Sequence, residues 1–188
     1  MARVGETIEN PLSGEWITWR ETAASSGGEL LAFDLKLRAA AAVAAEHLHL
    51  RQEERFAVTS GTIALSVAGD ESRLGPGEEA TVPRGTPHHW WNAGDEGAVV
   101  RVELRPALES EVFFETLFGL ARDGKTNAKG IPGLLQIAVA YADLGESCSR
   151  LARPPVWVQR LVLTPLAPLG RLFGRRPAYP AYSPDRPF

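Results

Sequence analysis

Five short segments in which apolar and polar residues alternate constrain this chain more than any other feature. In residues 30–38, LLAFDLKLR, Leu31, Phe33, Leu35 and Leu37 fall on one face and Asp34, Lys36 and Arg38 on the other. A period of two belongs to a strand with one buried face and one wetted face. ERFAVTS (54–60), TIALSVAG (62–69), EEATVP (78–83) and AVVRVELRP (98–106) continue the pattern. In the last of these, Val100, Val102 and Leu104 make the core face, which leaves Arg101 and Glu103 on the solvated or subunit-facing side. The stretches GDESRLGPGE and NAGDEG between segments are rich in turn formers. Strands at this density, with no helix between them, predict an antiparallel sandwich or barrel over residues 16 to about 105.

The texture changes near residue 109. ESEVFFETLFGLARDG (109–124) carries apolar residues at helical spacing and stops at Gly124; GLLQIAVAYADLG (133–145) repeats the pattern. PPVWVQRLVLTPLAPLGRLFG (154–174) reads as a third helix, opened by Pro155 and bent or broken near Pro165 and Pro168. The tail RRPAYPAYSPDRPF is rich in proline and reads as extended. The expected division is residues 1–108 for the β-domain and 109–188 for a helical extension packed on it or on a partner subunit. Arg160 and the two prolines make the third helix a poor membrane span. A helix lying in a membrane interface is the alternative to packing.

Bulk properties exclude several classes. A chain of 188 residues with a formal charge of −3 suits one domain plus an appendage and carries no basic footprint for nucleic acid. One cysteine, Cys148, rules out an internal disulfide framework and fits a reducing compartment. The polar start, MARVGETIENPLSGE, lacks the apolar core of a signal peptide, so a cytoplasmic protein is expected.

Two stretches carry the chemistry. In EHLHLRQEERFAVTSG (46–61), His47 and His49 share a strand face and Leu48 points away. Two imidazoles on one face can converge on one ion, and the carboxylate of Glu54, at the start of the next strand, can meet the same point. Histidines with a carboxylate are a common ligand set for divalent transition metals. In GEEATVPRGTPHHWWN (77–92), His88 starts a strand whose parity keeps Trp90 and Asn92 on its face and puts His89 and Trp91 on the reverse. His88, rather than His89, is therefore the candidate fourth ligand.

These stretches resemble the two motifs of the cupins. The first is glycine, five residues, His-x-His, three or four residues, glutamate, six residues, glycine; His47, His49, Glu54 and Gly61 match it. Registration with Gly61 selects Glu54 over Glu53. The second is glycine, five residues, Pro-x-Gly, two residues, histidine, three residues, asparagine, and Gly77, Pro83, Gly85, His88 and Asn92 match at every position. One departure is Ala41, inside AAAAVAAE, where the first motif opens with glycine. The resemblance spans roughly residues 30–105. It implies a mainly β, antiparallel jelly-roll barrel holding one divalent transition metal ion (iron, manganese, nickel, copper or zinc) on His47, His49, Glu54 and His88.

Phe56 and Trp90 share parity with ligands, which makes them candidate walls of a substrate pocket or else ordinary barrel packing. Asn92 is expected to fix a turn or a ligand's orientation. The function expected is a metal-dependent, dioxygenase-like oxidoreductase acting on a small organic substrate, with Glu54 as ligand or base. A metal-dependent isomerase or lyase, and a non-enzymatic small-molecule binding protein, are the alternatives. A homodimer is expected, because short-stranded sheets have edges that natural proteins cover.

Overall fold

The alternating segment 30–38 forms strand β3, Leu31–Leu37, with Leu31, Phe33, Leu35 and Leu37 buried. It belongs to a sheet that, in spatial order, runs β1 (Thr7–Asn10), β2 (Glu15–Glu21), β3, β10 (Ala98–Arg105), β5 (Glu53–Ser60) and β8 (Glu79–Val82). A second sheet runs β11 (Arg150–Leu151), β4 (His47–Leu48), β9 (His88–Asn92), β6 (Ile63–Val67) and β7 (Asp70–Leu74). All pairings are antiparallel. The computed structural model describes residues 2–39, 41, 45–147 and 149–184, so Cys148 and part of the AAAAVAAE run lie outside the described residues.

The inner faces of the two sheets make one core. Trp19, Phe33, Phe56, Val100, Val102 and Leu104 come from the first sheet and Ile63, Leu65 and Trp90 from the second. Arg101 and Glu103, between core positions on β10, point outward as parity requires. Arg101 there donates to the Asp34 carboxylate, and Arg20 holds the same carboxylate at 2.7 Å.

Residues 69–78, which read as turn, contain strand β7. Its residues are exposed except Leu74, so the period-two signal that marks a half-buried strand is missing. Ala68 and Gly69 both take positive φ, and Val67 pairs with Asp70 across them. This is the two-residue hairpin geometry that matches strand twist. Asp70, Glu71 and Arg73 then place charge along a sheet edge, which discourages pairing with other chains.

Three helices follow: α1 (Ser110–Arg122), α2 (Leu134–Asp143) and α3 (Val156–Leu172). Helix α1 packs on the barrel core through Phe114, Leu117 and Phe118, with Phe114 edge-on to Phe33 at 5.3 Å. Helix α2 packs against α3. Of the bend or break expected near Pro165 and Pro168, a break is not found, since α3 runs through both prolines. Each proline removes one helical hydrogen bond, and the packing of Gln159, Ala167 and Gly170 on the buried side compensates. The short strand β11 returns to the second sheet between α2 and α3 and pairs Leu151 with His47 and Arg150 with Leu48.

Residues 175–184 of the tail are folded rather than extended. Tyr182 and Ser183 donate backbone N–H groups to Tyr179 O in a turn, and Ala178 and Ser183 are buried. The Tyr179 hydroxyl donates to Gln136 Oε1 at 2.7 Å, and the Tyr182 hydroxyl donates to Asp123 at 2.6 Å. Ring contacts and hydrogen bonds to α1 and α2 outweigh the extended bias of proline-rich chain.

Ser183 donates to the buried carboxyl of Glu115 on α1. Burial pushes Glu115 up to about 7, with the Ser183 hydrogen bond opposing and the charge of Glu111 adding. Folding therefore favours the protonated form. The stabilisation this contributes is fully present below pH 4.5, where the unfolded chain also holds the proton, and is lost as pH rises through about 7. Thermal melts across this window should show Tm falling by a few degrees, and Glu115→Gln should flatten the slope.

Candidate metal centre

The residues of the first motif are set by a very short strand. His47 and Leu48 form β4, and His47 lies directly opposite His88 of β9. His49 follows immediately, and its carbonyl accepts the Gly85 N–H at 2.7 Å. The Pro-x-Gly turn of the second motif thus pins the chain of the first. Glu54 arrives from the other sheet, on β5 between Leu104 and Val82. Two histidines on one sheet, a third just past the end of its strand β4, and a carboxylate on the facing sheet meet at the seam between them.

The four side chains are all buried, and one candidate ligand atom from each lies within 4.8 Å of the others. His88 Nε2 is 2.8 Å from Glu54 Oε2, and His49 Nε2 is 3.1 Å from the same oxygen. Glu53, the rival carboxylate, is exposed. His89 and Trp91 sit on the reverse face of β9, stacked on each other at 5.2 Å. On β9, His88, Trp90 and Asn92 are buried while His89 and Trp91 are half-buried.

Ring protonation is set by acceptors around the site. His47 Nδ1 lies 3.1 Å from Ala45 O and His88 Nδ1 lies 3.0 Å from Thr86 O. Carbonyl oxygens only accept, so each Nδ1 carries the hydrogen and each Nε2 faces the cluster. Such outer contacts orient a metal-ligating imidazole. Burial holds His47 down at about 4, with His88 and His49 adding to that and the Glu54 charge opposing, so it is neutral at pH 7. Burial pushes the Glu54 carboxyl up, but the nearby imidazoles of His49 and His88 outweigh it, and the group lies well below the usual carboxylate range. Burial pulls His88 down, yet its hydrogen bond and attraction to Glu54 raise it on balance.

This arrangement fits a cation. Both ring nitrogens of His49 are buried with no aligned hydrogen-bond partner, an expensive state unless something else satisfies them. His88 Nδ1 faces Thr86 O and Nε2 faces Glu54 Oε2, so a cation held by the group would take the place of a proton between His88 and Glu54. Three imidazoles and one carboxylate also suit a divalent transition metal by donor type.

Other motif residues are structural. Asn92 fixes a turn: Nδ2 donates to Glu96 O at 2.7 Å and Arg38 O at 3.1 Å, while Oδ1 accepts from Gly94 N–H at 3.0 Å. Gly61 takes φ +76°, and a Cβ there would stand 2.7 Å from Gly97 O and Ala98 Cα. Ala41, in the position of the first motif's glycine, is buried. Phe56 and Trp90 lie in the core cluster, with the Phe56 ring 6.3 Å from His88 and 5.9 Å from Trp90. Sequence reading did not find Gln52. Its buried amide donates to Pro106 O, Ala107 O and Ser110 Oγ, tying the β4–β5 connection to the start of α1. A polar residue between two motif positions gave no periodic signal of that role.

A two-sheet antiparallel fold with three histidines and a glutamate converging at its seam has the architecture of a small β-sandwich that could hold one metal ion. Residues 35–104, a little over a third of the chain, match the Cupin domain family, so this part of the chain is similar to a cupin domain. An RmlC-like cupin from Shewanella frigidimarina superposes with a TM-score of 0.50 at 21% identity, over 57% of this chain and 89% of its own. KdgF from a Halomonas species gives 0.47 at 22% identity, over 54% and 86%. A cupin-superfamily sugar phosphate isomerase from Silicibacter pomeroyi gives 0.44 at 24% identity; this chain spans 50% of itself and 60% of that protein's length. At these identities the likeness is one of fold. No curated protein matches the chain.

Proposed function

We propose that this chain is a metal-dependent oxidoreductase of the dioxygenase type, acting on a small aromatic or enolic molecule. The observation that carries the reading is the buried group of His47, His49, Glu54 and His88, each offering one ligand atom toward a common point. A divalent iron, manganese, nickel or copper ion held there would supply an electrophilic, redox-active centre. The imidazoles of His47, His49 and His88 bind as neutral donors, and the Glu54 carboxylate offsets one unit of the ion's charge. The Ala45 and Thr86 carbonyls keep the His47 and His88 rings oriented. Phe56 and Trp90 exclude water from the inner side of the group. Glu54 supplies the one carboxylate among the four side chains and is the group to which a substrate proton passes.

The test is metal analysis of protein purified without added metal, followed by oxygen uptake with catechols, flavonols and diketones. Metal-loaded protein should consume oxygen with at least one of these, and Glu54→Gln should lower the rate by about 10²-fold or more while leaving the melt of the fold in place. Binding of a panel compound without oxygen uptake would move the reading to an isomerase or lyase. No binding with any of the four metals would leave a binding protein. The same reading has the chain as a homodimer joined along a sheet edge, which sedimentation at micromolar concentration tests.

A further inference from the structure

Helix α3 docks on α2 by one side only. A Cβ on Gly170 would stand 2.6 Å from Val139 Cγ2 and 2.8 Å from Leu135 O, so the two backbones are nearly in contact there. Gln159 and Ala167 are buried on the same side, and Gln159 Nε2 donates to Leu151 O and Pro154 O. The opposite side is apolar and open. Trp157 is 69% exposed, Leu161 68%, Leu172 80% and Phe173 64%, with Val162 and Leu169 also exposed. At about 100° per residue these six positions, with Pro165 and Pro168, share an arc of roughly 160°. A contiguous apolar face of this kind on a protein surface marks something that covers it.

Charge identifies the cover. From Ser147 to Pro184 the chain has six arginines, at 150, 153, 160, 171, 175 and 176, and no aspartate or glutamate. Arg171 pairs with Asp143 of α2. Arg153, Arg160, Arg175 and Arg176 are exposed and make no ion pair among the described residues. They stand at the two ends and along one flank of the apolar face. A second copy meeting this face would bring arginine against arginine with no acidic residue in the segment to pair with. An anionic bilayer surface offers phosphate to the arginines and acyl chains to Trp157, Leu161, Leu172 and Phe173. No described helix is long and apolar enough to cross a membrane, so α3 would lie in the plane of the interface.

We infer that α3 is a membrane-surface anchor, which seats the protein on anionic phospholipid through its outward apolar face. The test uses the full chain with vesicles of mixed phosphatidylcholine and phosphatidylglycerol, against vesicles of phosphatidylcholine alone. The protein should sediment with the mixed vesicles, weakly or not at all with the neutral ones, and less as salt is raised. Leu161→Asp combined with Leu172→Asp should abolish binding, with far-UV circular dichroism unchanged because both side chains are exposed. Arg175→Glu with Arg176→Glu should weaken it by roughly tenfold or more. Absence of sedimentation with anionic vesicles would overturn the inference, as would full binding by the leucine double variant. If the unbound protein proved to be a dimer that this same double variant dissociates, the face would belong to a second copy.

Discussion

His88→Ala should leave the purified protein with less than about a tenth of the wild-type metal and lower metal affinity by at least about 100-fold. Loss of residues that merely orient a ligand already costs about 10–100-fold, and His88 is itself a proposed ligand at the centre of the group. Its ring is 1% exposed and Nε2 lies 2.8 Å from Glu54 Oε2. Removing it also leaves a buried carboxylate short of a partner, so the metal-free variant should lose about 3 kcal/mol or more of stability. His89→Ala is the control. It neighbours His88 in sequence but lies on the reverse face, stacked on Trp91, and should keep its metal. Elemental analysis with thermal melts reads both effects. Full metal content in His88→Ala would remove this residue from the site.

Phe56→Ala should destabilise the fold by about 3–5 kcal/mol, the usual cost of emptying a fully buried phenylalanine site, and lower Tm by roughly 10 °C. The ring is 0% exposed and touches both sheets' contributions to the core, near His88 on one side and Trp90 on the other. Phe56→Leu keeps most of the volume and should cost less than about 1.5 kcal/mol. A denaturation series on the two variants decides what the residue does. If Phe56→Ala left stability intact but altered substrate binding, Phe56 would be a pocket wall and not a member of the core.

Strands whose faces differ in solvent exposure were legible, because the chain must alternate to satisfy both environments. That holds for β3, β5 and β10. Strand β7 was hidden since nearly all its residues face water and selection for burial leaves no pattern. Strand β11 is two residues long, and nothing in Arg150-Leu151 foretells that it will lie beside His47. The tail was misread for a related reason. Proline content reports local backbone bias, whereas the positions of Tyr179, Tyr182 and Ser183 are decided by Gln136, Asp123 and Glu115, far away in the chain. The prolines of α3 mislead in the same way, as packing on α2 sustains a helix that local preference would interrupt.

By itself the sequence determined which side chains could form the site. The parity of two short segments put His47 with His49 and His88 with Trp90, and motif spacing chose Glu54 over Glu53. Parity is a property that neighbouring residues of a strand impose on one another and survives without knowledge of the fold, whereas the choice of Glu54 rests on the resemblance to the cupin motif. Only the tertiary structure decided that His47 stands opposite His88, that the carboxylate comes from the facing sheet, and that Gly85 clamps the His49 carbonyl. Each of those contacts joins residues distant in the chain. Their closeness depends on the summed burial of Phe56, Leu65, Leu104 and the rest of the core, a quantity that no short stretch of sequence contains.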